Sequence, residues 1–244
     1  MFWFVLSLSV VVIFLMLHGS ASALSSLRGE AGLAVAALVV PACLIAQCIL
    51  SGQSVRVATR AIGLGCPTAR SLGIALGICA LMLLTLPMFA TLENAQATLH
   101  PGWLLLLPGL FAQGGLAEEA LFRGLLFGNL RQRHAFWPAA LLSAGPFVAA
   151  HLILFATMSW PIALAATSLA FVTSFPLARL FELGARTIWA PALVHFTIQG
   201  AVKVVEMPGS SPRYEMAWLA ACAVVPWLAF AFRAPDGQGS ARAA

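Results

Sequence analysis

The chain has 244 residues, a length that suits one domain, but 61% of them belong to the set AVILMFWYC and only 9% are charged. A soluble domain carries about 25% charged residues, so this composition excludes a cytosolic enzyme, a disordered regulator and a disulfide-stapled secreted module. The net charge of +5 comes from 13 Lys and Arg against 8 Asp and Glu. These basic residues sit singly or in pairs beside apolar runs, with no basic helix and no patch interleaved with aromatics, so nucleic acid is not an expected partner. The expectation is an all-α polytopic membrane protein, one membrane domain over 1–244.

A helix that crosses a bilayer needs about 20 mainly apolar residues. In chain order, about eight transmembrane helices are predicted: 2–17, 32–50, 71–92, 102–130, 136–156, 160–178, 187–205 and 214–232. The first is followed by Ala21-Ser22-Ala23, which resembles a signal-peptide cleavage site, yet no Lys or Arg precedes its apolar run, so it reads as a span. Residues 53–64 place Val55, Ala58 and Ile62 on one helical face with Arg56 and Arg60 four apart; a short surface helix and a basic loop both fit. Gly73 and Gly77 form a G-x-x-x-G that predicts close approach of another helix. The five cysteines include no CxxC and read as small apolar residues. The tail 233–244 reads as disordered.

The loop charges sort by side. Arg56, Arg60, Arg70, Arg131, Arg133, Arg179, Arg186, Arg233 and Arg242 fall on one side, against Arg28, Lys203 and Arg213 on the other. The basic-rich side should be cytoplasmic, which puts both termini inside the cell and the chain in the cell inner membrane.

Ionisable groups deep in hydrocarbon are costly and mark function by default. His18, His100 and His134 lie at span ends, where an amphipathic ring suits the interface. Three deep clusters remain. LAEEALFRGLLF holds Glu118, Glu119 and Arg123; Glu119 and Arg123, four apart, share a face and neutralise each other. Glu118 is rotated about 100° away and needs a partner from elsewhere. The next span holds Phe147 and His151, the seventh His195 and Gln199, each pair four apart. At about 1.5 Å rise per residue, Glu118 lies about 19 Å from Arg131, His151 about 22 Å from Phe136 and His195 about 13 Å from Arg186. Those depths allow one layer, in the middle to cytoplasmic part of the bilayer. Pro108, Gly109, Gly114 and Gly115 precede the Glu pair and predict a bent or thinned helix just outside the site.

A carboxylate and a neutral imidazole facing one water form a general-base pair. A second imidazole and an amide can donate to a developing oxyanion. Glu118 with His151, then His195 with Gln199, supply those parts. The same Glu118, His151 and His195 would also make a hydrolytic zinc set; composition and spacing leave both versions open. There is no H-E-x-x-H and no G-x-S-x-G, which disfavours the soluble zinc-protease pattern and a covalent serine mechanism.

Glu118-Glu119-x-x-x-Arg123, Phe147-x-x-x-His151 and His195-x-x-x-Gln199, in this order and spacing, resemble the three motifs of the CPBP (Abi/CaaX) intramembrane protease family, which includes the type II CaaX prenyl endopeptidases. The resemblance covers residues 102–206 as a catalytic core. It implies an eight-helix membrane fold with a cavity reached from the cytoplasmic side. It also implies water activation by Glu118 and His151, an oxyanion held by His195 and residue 199, and structural support from Glu119 and Arg123. The family usually has Asn where this chain has Gln199. The substrate class implied is a membrane-associated peptide or protein, with no cofactor favoured and Zn as the alternative. Two other functions use the same residues: a proton-coupled transporter, and a membrane scaffold of the same family that has lost catalysis.

Overall fold

The computed structural model describes residues 1–24, 31–207 and 212–234. The predicted tail lies outside the described residues from 235 onward, as does Arg28 in the first loop.

Helix α1, Phe2–Ala23, buries Leu6, Val10, Ile13 and Leu17, a spacing that keeps one stripe inward. Trp3, Phe4, Leu8, Val11 and Leu15 point outward and are exposed. Such a face is a liability in water and the ordinary surface in hydrocarbon. Helix α2, Gly32–Ser51, packs along α1 and ends at Gly52, whose φ of +65° makes the left-handed cap that glycine tolerates. The basic stretch that follows does form a short helix, α3, Val55–Ala61. Ala58 and Ile62 are buried while Val55 is exposed, so the predicted face is only partly used.

Helix α4, Ala69–Leu83, starts at Thr68, whose hydroxyl accepts from the Ser71 N–H at 3.2 Å, and runs on into α5, Thr85–Leu92. The close contact predicted at Gly73 and Gly77 is not made: among the described residues, a Cβ at either position would meet nothing within 4 Å. The inward face of α4 is Ser71, Ala75, Ile78 and Met82, and the two glycines lie off it.

The segment with the Glu pair runs from α6, Trp103–Leu110, through Phe111–Ala117 and Ala120–Phe127 to α7, Gly128–Leu130. Its backbone stays right-handed at Leu110, Glu118, Glu119 and Phe127. The predicted bend is instead a widening, because Phe111–Ala117 and Ala120–Phe127 are π-helical. Such turns hydrogen-bond i to i+5 and occur often at functional sites. Glu118 and Glu119 sit between the two π stretches.

Helix α8, Phe136–His151, passes through a turn into α9, Leu154–Thr157, and packs on α10, Trp160–Leu183. Buried alanines on both, Ala139 and Ala140 with Ala170 and Ala178, allow the backbones to approach. Helix α11, Trp189–Val204, packs on α4, on α10 and on the Phe111–Ala117 stretch. Helix α12, Pro212–Val224, continues as a 3₁₀ turn over Val225–Ala231. A two-residue antiparallel pair, β1 Thr98–Leu99 and β2 Val205–Glu206, ties the loop before α6 to the end of α11.

The chain is an all-α integral membrane protein. Among the described residues, six helical stretches are long and apolar enough to cross a bilayer: 2–23, 32–51, 69–92, 136–157, 160–183 and 213–231. The other two predicted spans carry motifs and differ in kind. One is interrupted by its π stretches, and α11 has only 16 residues. Both lie mostly inside the bundle: every residue of Ala120–Phe127 is buried, as are Ala190, Val194, His195 and Ile198 of α11. Arg133 lies over the ring of Phe2 at 4.2 Å, Arg131 pairs with Glu182 at 2.5 Å, and Arg179 donates to the Phe232 carbonyl at 2.5 Å. The start of α1, the loop after α7, the end of α10 and Phe232 therefore share one end of the bundle.

Candidate active site

The site forms where α11 crosses the Glu-bearing helix. Glu119 is fully buried. Its Oε1 accepts from Arg123 Nη1 at 3.0 Å, the pair foreseen from their spacing, and also from His195 Nδ1 at 2.6 Å. A carboxylate only accepts, so the Nδ1 of His195 carries the proton and the ring is oriented with Nε2 toward Glu118. Nε2 lies 3.7 Å from Glu118 Oε2. Glu118 thus faces an imidazole from another helix, beyond hydrogen-bond distance.

His151 ends α8. Its Nδ1 donates to the Phe147 carbonyl at 2.8 Å, one turn back on the same helix. A carbonyl too only accepts, so the neutral ring keeps its lone pair on Nε2. Phe147 is the hub of the cluster. Its ring contacts His151 at 4.8 Å and His195 at 5.8 Å, both edge-on, and the Arg123 guanidinium lies over it at 4.3 Å. The guanidinium thereby gains a cation–π partner beside its salt bridge.

Glu118 and His151 line one cavity of about 190 Å³, together with Gln113 and, from α1, Phe14, Leu17 and His18. The wall from α1 is a finding the sequence did not announce: His18 reads as a span-end residue, yet it stacks on Phe14 at 6.0 Å and faces the cavity. The signal available was its spacing, four residues from Phe14 and one from Leu17. Gln199 lies one turn beyond His195 on α11, against Gly114, and its Nε2 is buried with no hydrogen-bond partner among the described residues. Glu118, Glu119, Arg123, His151 and His195 are thus joined by ion pairs, the Phe147 ring and the cavity, while Gln199 meets Gly114 one turn further along α11.

The zinc version finds no support in this arrangement. The Nε2 atoms of His151 and His195 are the ring nitrogens left open by the bonds at Nδ1. Yet among the described residues, no group of three or more His, Cys, Asp or Glu side chains is placed to hold a metal ion.

Residues 100–201 match the family model described as type II CAAX prenyl endopeptidase Rce1-like. The matched stretch contains Glu118, Glu119, Arg123, His151, His195 and Gln199 and supports a CPBP (Abi/CaaX) family assignment. No curated protein matches the chain. Over this stretch the chain is similar to the CAAX-protease-like peptidases that the family model describes.

Proposed function

Taking the chain as a CPBP-type relative of the Rce1-like peptidases, we propose that it hydrolyses a peptide bond of a membrane-associated peptide or protein with a water activated by protein groups alone. Glu118 is the base. It takes a proton as the water oxygen attacks the carbonyl, and returns it to the leaving amine. His151 accepts a hydrogen bond from the same water through Nε2, because its Nδ1 is committed to Phe147. His195, held by the Glu119 carboxylate through Nδ1, turns Nε2 toward the place where the oxyanion develops and donates to it. The Gln199 amide, with no acceptor among the described residues, is the second donor. Arg123 pairs with Glu119 and holds it in place.

One observation carries this reading: His195 touches both carboxylates while Glu118 and His151 line a single cavity. The gathering of α1's start, Arg131, Arg133, Arg179 and Phe232 at one end supports a cytoplasmic location for that end and for both termini, in the cell inner membrane. The test is cleavage of a candidate substrate in membranes from cells carrying the normal chain or Glu118→Ala. Product should form only with the normal chain; equal product from both ends the reading.

A further inference from the structure

Among the described residues, the helical glycines Gly32, Gly114, Gly115 and Gly124 sit where a Cβ would overlap or press on a neighbour from another element, and they are not alike. At Gly32 the added carbon would run into the Gly109 carbonyl, and at Gly124 into the Ile62 carbonyl. Gly115 faces the Ala192 carbonyl at 3.1 Å. These meet backbone first and read as plain packing. At Gly114 the three nearest atoms all belong to the Gln199 side chain: Nε2 and Cδ would be overlapped, and Oε1 would stand 3.0 Å away.

The register explains why. The two helices run antiparallel, with His195 against Glu118 and, four residues along each, Gln199 against Gly114. The rung holding the carboxylate and imidazole is followed by a rung holding only an amide and a bare backbone. Gln has three side-chain rotors, and a free amide on such a stem would spread over many positions. Here the amide occupies the place a Gly114 side chain would take, with its Nε2 buried and given to no acceptor among the described residues.

We propose that Gly114 is a positioning residue: its missing side chain makes the seat that holds the Gln199 amide as a donor for the substrate's carbonyl oxygen. The proposal rests on the hydrolase reading above. It makes the pair 114/199 a unit in which the small residue and the long amide require each other. A shorter amide side chain at this position, lacking one methylene, does not reach the same seat.

The test is a four-protein cycle on the full chain: normal, Gly114→Ala, Gln199→Asn and the double variant. The probe is a quenched fluorescent peptide that the normal protein cleaves in detergent, with kcat, KM and Tm measured for each. In the normal background, Gly114→Ala should lower kcat about a hundredfold, as loss of one oxyanion donor does, with KM within about threefold. In the Gln199→Asn background the same substitution should change kcat by less than about threefold, the non-additivity of residues in contact. An equal loss in both backgrounds, or none in either, overturns the proposal. So does a double variant that regains Tm while its kcat stays far below that of Gln199→Asn, since the contact is then packing alone. If Gly114→Ala does not fold, the double variant must fold and match Gln199→Asn; failure there also overturns it. Glu118→Ala is run beside them. If it cleaves the probe as the normal protein does, the hydrolase reading itself fails. If it is inactive while the cycle is additive, only the role of Gly114 fails.

Discussion

Glu119 and His195 are joined by a 2.6 Å hydrogen bond between Oε1 and Nδ1, buried from solvent. This bond links the first motif to the third. It makes Glu119 more than a neutraliser of Arg123, because the same oxygen sets the tautomer and orientation of the imidazole. A carboxylate behind a histidine commonly does this in catalytic and metal sites. Glu119→Gln keeps the shape and loses the charge. It should lower kcat about 10–100-fold with a smaller change in KM, measured on any peptide the normal protein cleaves; an unchanged kcat would detach Glu119 from the chemistry.

Arg123 is 3% exposed and has Glu119 as its charged partner, with Phe147 beneath it. Removing one member of a buried pair leaves the other charge without compensation, at a cost of about 3–5 kcal/mol. Arg123→Ala should therefore destabilise the protein by about that amount in reversible unfolding in detergent, and Glu119→Gln/Arg123→Met together should cost less than the sum of the single changes. Additive losses would show that the two residues act separately.

His151 enters the proposed mechanism through an unprotonated Nε2. His151→Asn can still donate to the Phe147 carbonyl but offers no basic nitrogen. We expect a fall in kcat of about 10²–10⁴ with Tm within a few degrees of normal. A variant that stays active at the normal rate would leave Glu118 as the sole activating group.

The wall supplied by α1 borders the cavity that holds Glu118 and His151, so it should influence which substrate side chains are accepted. His18→Leu and Phe14→Ala are expected to change KM and the ranking of peptides by side-chain size, while leaving kcat for the best peptide within about fivefold, since uniform binding contacts act on KM. The measurement is cleavage of a peptide set varied next to the scissile bond. An unaltered ranking in both variants would place the substrate elsewhere.

Metal removal separates the two hydrolytic versions. With no cluster of three ligands among the described residues, cleavage by protein treated with a chelator and then freed of it should match that of the untreated protein. Loss of activity restored by added zinc would favour the ligand set of Glu118, His151 and His195.

Composition, and distances along one helix, were enough for part of this picture. With 9% charged residues the chain must live in hydrocarbon. The 119/123 ion pair follows from helical spacing, and so does the need of Glu118 for a partner on another helix. Rotation and register between helices are a different matter, because they are fixed by packing among residues far apart in the chain. Packing set His195 onto Glu119, brought Gln199 onto Gly114 and made α1 a wall of the cavity. It also left Gly73 and Gly77 idle, on a face that meets nothing among the described residues. The π-helical widening around the Glu pair belongs with these. No local propensity announces it, because an i to i+5 turn is held in place by the helices pressed against it rather than by the residues that form it.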